Sequence, residues 1–335
     1  MERAFRSPSV SGMAHFDLPL PQLREYRSAT GEPDGFGDFW TRTLDEARAA
    51  AEPVRLTEVA TPLRAITTYD VTFTGFAGQP IKAWLNVPAG APGPLPVAVE
   101  FIGYGGGRGL PIDWLAWNAA GYAHLVMDTR GQGGGWRGGD TPDRDADGAG
   151  PAAPGYLTRG VRSPETAYYR RLFTDAARAV ETAAELPGVD ATRLVTTGKS
   201  QGGALSIAAA GLVPDRVRAV IAGVPFLCDI RRAVTISDSF PFQEIVEFLR
   251  ANPDRAARTF ATLDHFDVVH LARRVTAPAL LSTALMDEVC PPSGVFAAYN
   301  ELNGPKQIEV YEWDGHDGGK SHFDVKALEF AAAHL

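Results

Sequence analysis

The stretch RLVTTGKSQGGALSIAAAGL, residues 193–212, decides the fold. A run of apolar and β-branched residues leads into a turn in which glycines flank a serine, and a run of small residues typical of a closely packed helix leads out. Gly198-Lys199-Ser200 could end a phosphate-binding loop, but that motif needs a glycine where this chain has Arg193. The alternative is G-x-S-x-G, from Gly198 to Gly202, which places a nucleophilic serine on a sharp turn between strand and helix. The flanking segments favour this second interpretation over a serine that merely caps a helix.

The segments on both sides of this turn alternate between strand and helix patterns. Short apolar runs such as PVAVEFIG and YAHLVMD are typical of strands buried on both faces, and helical segments separate them. The alternation predicts an α/β chain with a mostly parallel, doubly wound sheet, and the G-x-S-x-G turn between strand and helix is typical of the α/β-hydrolase fold. Upstream, residues 66–88 predict a β-hairpin extension and residues 35–53 a helix, while Ser163 is expected to cap a long helix.

The organisation predicted along the chain is one domain with an insert. Residues 229–275 are mostly helical in pattern and interrupt the alternation, so we expect a helical lid there. Residues 1–14 are polar and lack an apolar pattern, which predicts a disordered tail before a single domain from 15 to 335, and Met13 is a possible alternative start.

Charge and composition exclude some function classes. The net charge of −8 and the lack of a Lys/Arg cluster argue against nucleic acid as a partner. No apolar run is long enough to span a membrane, and the first residues carry no apolar core of a signal peptide, so a cytoplasmic location is the default expectation. The two cysteines, Cys228 and Cys290, are expected to be buried thiols rather than a disulfide framework.

A nucleophilic serine needs a base and an acid, which in this fold follow it in the order acid, then histidine. His316 lies in the Gly-flanked loop WDGHDGG after the last predicted strand, and Asp287 ends the strand before it. We therefore predict Ser200, Asp287 and His316 as catalytic residues. The rival histidines lie in the insert or the closing helix, and the rival acid is adjacent to Asp287; these residues are His265, His270, His322, His334 and Glu288.

The oxyanion formed by such chemistry needs two backbone N–H groups. Gln201, directly after the nucleophile, is expected to supply one, and Tyr104 in the Gly-rich loop FIGYGGGRG the other. An alternative constellation is a metal site of mixed oxygen and nitrogen ligands, but its spacing matches no standard motif and we predict no metal; its members are Asp314, His316, Asp317, His322 and Asp324.

These residues resemble those of a known family, the acetyl xylan esterases and cephalosporin C deacetylases of carbohydrate esterase family seven. The resemblance rests on Arg130-Gly131-Gln132 within DTRGQGGGWRGGDTPD, on the GKSQGG turn at Ser200, on Asp287 in MDEVCPPS and on the pair His316-Asp317. It covers the chain from about residue 15 to the end. Two positions depart from the family pattern: Asp317 stands where the family has glutamate, and Ile102 where we expect histidine.

The resemblance implies a serine esterase that deacetylates small acetylated carbohydrates such as xylo-oligosaccharides, or cephalosporin C. It implies that Arg130 and Gln132 brace the catalytic loops and that the chain forms a homohexamer. Pro225 and Phe226, after a core strand, are expected to line the acyl pocket, and no cofactor is expected. The competing interpretations are a general carboxylesterase or peptidase with the same fold, and a non-catalytic hydrolase-like binding protein.

Overall fold

The computed structural model describes residues 15–144 and 150–335. Within these residues one sheet is formed, with strands in the spatial order β1-β2-β3-β5-β4-β6-β7-β8-β9. The strands are Arg55–Val59 (β1), Ile66–Thr74 (β2), Pro80–Pro88 (β3), Leu95–Phe101 (β4), Ala123–Met127 (β5), Val189–Lys199 (β6), Ala219–Gly223 (β7), Ala279–Ala284 (β8) and Lys306–Tyr311 (β9).

The sheet is parallel from β5 to β9 and antiparallel at its N-terminal edge. β5, β4, β6, β7, β8 and β9 pair in parallel, whereas β1, β2, β3 and β5 pair antiparallel. This confirms the predicted mostly parallel sheet and its β-hairpin extension, β2 with β3. The edge strand β1 was not predicted, because the residues RLTEV are too charged and too exposed to show an apolar pattern.

Helices cover both faces of this sheet. They are Leu20–Leu23 (α1), Phe36–Ala49 (α2), Ala116–Ala119 (α3), Tyr168–Ala183 (α4), Gln201–Leu212 (α5), Ile230–Ile236 (α6), Gln243–Ala251 (α7), Ala256–Leu263 (α8), Val268–Ala272 (α9), Pro292–Glu301 (α10) and Lys320–His334 (α11). Helices α2, α4, α5, α9 and α10 pack on one face, and α3 and α11 on the other. Alternate residues of β4 therefore enter different cores, Val99 the larger and Ala98 the smaller.

The long helix α4 begins later than expected. It starts at Tyr168 rather than after Ser163, and the intervening residues form a turn. Thr166 N donates to Ser163 O at 3.2 Å, and Thr166 Oγ1 donates to Gly160 O at 2.7 Å. These two local hydrogen bonds form in place of helical ones, so the helix does not begin at Ser163. The predicted cap at Ser163 is therefore wrong.

The segment between β7 and β8 holds four of these helices, α6 to α9. Its last helix packs against α5 and α10, and Val268, Val269 and Leu271 belong to the main core. The earlier part of the segment lies at the carboxyl edge of the sheet, where Phe240 and Pro241 face a cavity. The residues predicted to form an N-terminal tail, 1–14, lie outside the described residues. Across the residues that are described, no helix combines the length and the apolar composition needed to cross a bilayer.

Candidate active site

Ser200 lies on a strained turn between β6 and α5. Its backbone has φ 56° and ψ −121°, a left-handed conformation that is rare for a residue with a side chain. A Cβ atom added at Gly198 would lie 2.7 Å from Phe101 O, and one at Gly202 would lie 2.1 Å from the same oxygen. The two flanking glycines are therefore required because the turn packs directly against the backbone of β4.

Ser200, His316 and Asp287 are brought together by three different loops at the carboxyl edge of the sheet. His316 Nε2 lies 3.1 Å from Ser200 Oγ, and His316 Nδ1 lies 3.0 Å from Asp287 Oδ2. The Asp287 side chain is fully buried, and its Oδ1 accepts hydrogen bonds from Val289 N and Cys290 N, both at 2.9 Å. A nucleophile, a base and an orienting acid are arranged in this way where a serine is activated, so the geometry is compatible with that chemistry.

The histidine loop is held by a residue that the sequence analysis assigned only to a possible metal site. Asp314 accepts hydrogen bonds from Gly315 N at 2.9 Å and from Gly319 N at 2.8 Å, which closes the loop around His316. An aspartate followed by glycine is a common turn signal, so the pattern DGH could have indicated this role.

The five residues of the alternative metal constellation do not converge. Asp317 pairs with Lys320 at 2.8 Å, and Asp324 pairs with Lys199 at 2.9 Å. Among residues 15–144 and 150–335, the single group whose ligand atoms lie close enough for a cation is Asp287, Cys290 and His316. In this group the Asp287 carboxylate already binds His316 Nδ1 and the N–H groups of Val289 and Cys290, and His316 Nε2 lies 3.1 Å from Ser200 Oγ.

Cys290 was predicted as a buried thiol and is one, but its position beside the nucleophile was missed. Its Sγ lies 3.9 Å from Ser200 Oγ. Cys228 is also buried and free. The proximity of Cys290 follows from Asp287, whose carboxylate binds the backbone of the turn that carries the cysteine, and nothing in the local sequence indicates it.

The rival histidines and acid do not reach Ser200. His322 and His334 are exposed on α11, and Glu288 is exposed beside Asp287. His265 Nδ1 lies 3.0 Å from Ala261 O, within the helical insert. His270 is buried in the core, where burial lowers its pKa to about 4.

Gln132 connects the two loops from which the oxyanion donors were predicted. Its Oε1 accepts from Gly105 N at 2.7 Å, and its Nε2 donates to Gln201 Oε1 at 2.9 Å. Gln201 Nε2 in turn donates to Ile102 O at 3.2 Å. The backbones of Tyr104 and Gln201 are thus held relative to one another by buried amide side chains.

Arg130, two residues before Gln132 in the chain, is fully buried. Its guanidinium binds both carboxylate oxygens of Asp175, at 2.5 and 2.7 Å, and donates to Gln79 Oε1 at 2.7 Å. Its carbonyl oxygen accepts from Tyr168 OH at 2.6 Å, and Tyr168 OH also accepts from Gln132 Nε2 at 3.0 Å. The arginine therefore anchors the loop that carries Gln132 to helix α4.

The Tyr104 side chain contacts the helical insert. Its hydroxyl donates to Glu244 Oε1 on α7, and the other oxygen of Glu244 accepts from Tyr156 N and Leu157 N, both at 2.9 Å. Glu244 is buried, and desolvation raises its pKa. No motif around Glu244 predicted this contact, because it joins residues distant in sequence.

A cavity of about 790 Å³ opens beside Ser200 and His316. The apolar residues that line it include Val224, Phe240 and Val289. Pro225 and Phe226 do not line it: Phe226 is buried and packs on Phe242 with ring centroids 4.6 Å apart. Phe226 N instead donates to Ser200 O at 3.0 Å, so Phe226 stabilises the backbone of the Ser200 turn.

Known proteins match this chain over nearly its whole length. An acetyl xylan esterase from Paenibacillus sp. R4 is 37% identical and superposes with a TM-score of 0.88, covering 95% of this chain and 100% of that one. Acetyl xylan esterase 1 from Thermoanaerobacterium sp. JW/SL YS485 is 35% identical, also with a TM-score of 0.88, over 96% of this chain and 100% of the other.

A third relative matches over a shorter span. The acetyl esterase Axe7A of Xylanibacter ruminicola is 31% identical over 163 residues, which are 48% of this chain and 36% of that protein. The chain therefore spans about a third of the length of this curated relative. The family model described as acetyl xylan esterase (AXE1) matches residues 13–334, and the chain belongs to that family of α/β-hydrolases.

Proposed function

We propose that this protein is a serine esterase that removes acetyl groups from small acetylated carbohydrates. The observation that carries the proposal is the continuous hydrogen-bonded line from Ser200 Oγ through His316 to the buried Asp287, in a chain of the acetyl xylan esterase family. Xylo-oligosaccharides are the first substrate class to test, because the two similar solved structures are of acetyl xylan esterases. Cephalosporin C is the second.

The first half of the reaction acylates the serine. His316 Nε2 takes the proton of Ser200 as Oγ attacks the acetyl carbonyl carbon, while Asp287 holds the imidazole and stabilises its positive charge. The backbone N–H groups of Tyr104 and Gln201 donate to the oxyanion. Collapse of the tetrahedral intermediate breaks the bond to the sugar oxygen, which leaves with the proton from His316.

The second half returns the enzyme to its starting state. His316 takes a proton from water as the water oxygen attacks the acetyl carbon on Ser200. The intermediate collapses, acetate leaves, and His316 gives its proton back to the serine oxygen. These steps need no cofactor.

The proposal also assigns roles to two further parts of the structure. Gln132 and Arg130 act as positioning residues, since they hold the two loops that carry the oxyanion donors. The first part of the helical insert acts as a lid, because Phe240 and Pro241 form one wall of the cavity. A homohexamer in the cytoplasm completes the proposal, to be tested by sedimentation and by cell fractionation.

The test compares wild type with Ser200→Ala on acetylated xylo-oligosaccharides, cephalosporin C and p-nitrophenyl esters of increasing acyl length. We expect acetate release with a preference for acetyl, and a loss on the order of 10⁶ in kcat in the variant. A residual rate within tenfold of wild type would remove Ser200 from the mechanism. Equal or faster cleavage of long acyl chains, or cleavage of peptides, would favour a general carboxylesterase or a peptidase instead.

A further inference from the structure

The cavity beside Ser200 also contacts the face of the sheet that α3 and α11 cover. Its lining includes Glu100, Thr197 and His124, none of which the proposed reaction uses. Glu100 pairs in register with Thr197, three residues before Ser200. At about 3.3 Å per residue, Glu100 and Thr197 lie roughly 10 Å from Ser200 along the strands.

Glu100 and His124 form a close pair that leaves hydrogen-bonding capacity unused. His124 Nε2 lies 2.8 Å from Glu100 Oε2, and the histidine is 1% exposed whereas the glutamate is 23% exposed at the cavity wall. Both ring nitrogens of His124 are buried, so a ligand in the cavity does not reach them. The imidazole instead holds Glu100, whose partly exposed carboxylate is the polar group of the pair that a ligand can reach.

The remaining charged groups around the cavity are already paired with one another. Asp113 lies 3.7 Å from Arg137, in addition to the pairs Lys199 with Asp324 and Lys320 with Asp317. An anionic ligand would therefore meet no unpaired cation among these groups, and a cationic one would have to share Glu100 with the imidazole. An uncharged ligand whose hydroxyl groups donate to the Glu100 carboxylate suits the pair best.

Apolar side chains line the cavity together with the pair. Trp117 on α3 and Phe323, Ala327 and Leu328 on α11 line the same space. A sugar ring combines an apolar face with hydroxyl groups that donate to a carboxylate. The cavity volume, about 790 Å³, falls in the range of roughly 300–1,000 Å³ that is usual for small-molecule sites.

We propose that Glu100 and His124 form a second saccharide subsite, which binds an unacetylated sugar unit of the substrate while its acetylated neighbour lies at Ser200. This inference rests on the proposed function, since it assigns a role to the leaving group. The Glu100 carboxylate accepts from sugar hydroxyl groups, His124 holds that carboxylate in place, and the apolar wall contacts the ring. Substrates of two or more sugar units then bind more tightly than acetylated monosaccharides.

The test is direct binding of xylobiose, which carries no acetyl group, to Ser200→Ala by titration calorimetry. The same titration is repeated on the double variants Ser200→Ala/Glu100→Gln and Ser200→Ala/Glu58→Gln. Glu58 is an exposed glutamate on the edge strand β1, so it controls for the loss of one surface charge. We expect the Kd of xylobiose to rise by about tenfold or more with Glu100→Gln, as for loss of a hydrogen bond to a charged group, and to stay at the parent value with Glu58→Gln.

Two results would overturn the subsite. One is an equal Kd for xylobiose in the parent and the Glu100 double variant, and the other is no measurable binding to the parent. Because the titration involves no catalysis, its outcome is separate from that of the acetate-release assay. A wild type that releases acetate but fails this titration retains the proposed function and loses the subsite.

Discussion

At the scale of single residues, the site depends on side chains that hold backbone groups in place. Asp287 binds two backbone N–H groups as well as His316, Asp314 closes the histidine loop, and Gln132 joins the loop of Tyr104 to Gln201. Each is positioned so that the reacting groups need little rearrangement, which is the condition under which backbone donors stabilise an oxyanion strongly.

Gln132→Ala tests this positioning. Without the side chain, Gly105 N and Gln201 lose their common partner, so the two predicted donors are no longer held together. We expect kcat for an acetyl ester to fall by about 10- to 100-fold with little change in KM, a smaller loss than the 10²–10³ typical of removing a donor itself. The control is Gln22→Ala, at an exposed position of α1, which should leave both constants at wild-type values. A rise in KM at constant kcat would contradict the positioning role.

At the scale of elements, two contacts place the catalytic loops relative to the sheet. The first is the close approach of α5 to β4 at Gly202, and the second is the carboxylate of Glu244, which joins the helical insert to Tyr104 and to the 156–157 backbone. Both contacts connect segments distant in sequence. Each depends on one residue, Gly202 or Glu244, so a single substitution tests each contact.

Gly202→Ala should destabilise the protein. The added methyl group would lie 2.1 Å from the carbonyl oxygen of Phe101, and backbone cannot move aside cheaply. We expect the free energy of unfolding in urea to fall by at least about 2 kcal/mol. Gly134→Ala is the matched control, because no atom lies within 4 Å of the added group, and it should change stability by less than about 0.5 kcal/mol. Equal effects of the two substitutions would show that the close approach is unimportant.

Glu244→Ala should weaken the attachment of the insert. It leaves Leu157 N and the Tyr104 hydroxyl without their acceptor, a cost of about 1–3 kcal/mol for each unsatisfied buried group. We expect lower stability in urea and a lower kcat for acetyl esters, because Tyr104 is one of the predicted oxyanion donors. Glu247→Ala, at an exposed position on the same helix, is the control and should match wild type in both measurements. An unchanged kcat would mean that the insert does not influence the Tyr104 loop.

At the scale of the whole molecule, the helical insert is part of the global core. Phe266, Val268 and Leu271 are buried in the main cluster, and α9 packs on α5, the helix that carries the nucleophile turn. Titratable groups buried in this region therefore affect the stability of the entire domain. Two of them are His270 and Asp267, three residues apart.

His270 should make stability decrease in acid. Burial lowers its pKa to about 4, below the 6.5 of an ordinary histidine, so the unfolded chain binds more protons between these values. The free energy of unfolding consequently falls as the pH drops from about 6.5 to about 4. Asp267, whose pKa burial raises to about 7, has the opposite slope over this range, since there the folded state binds the extra proton.

The difference between variants isolates the histidine. In His270→Leu the penalty for protonating a buried imidazole is absent, so its stability relative to wild type should increase as the pH is lowered from 6.5 to 4, measured by urea unfolding at several pH values. A difference that does not vary with pH would show that His270 is not the group that titrates. The part of the stability difference that does not vary with pH reports packing against Phe36, whose ring centroid lies 5.7 Å from that of His270.

Local sequence was sufficient for the turn at Ser200, the parallel strands and the hairpin, because each is specified by neighbouring residues: glycines where no Cβ fits, apolar runs where both faces are covered. It also indicated Asp287 and His316 as partners, since parallel strands end at one edge. Tertiary structure alone decided which side chains meet across that edge. Four contacts join residues far apart in the chain: Gln132 with Gln201, Glu244 with Tyr104, Cys290 with Ser200, and Glu100 with His124. Their geometry follows from how the strands register and how the loops pack, which no local pattern encodes.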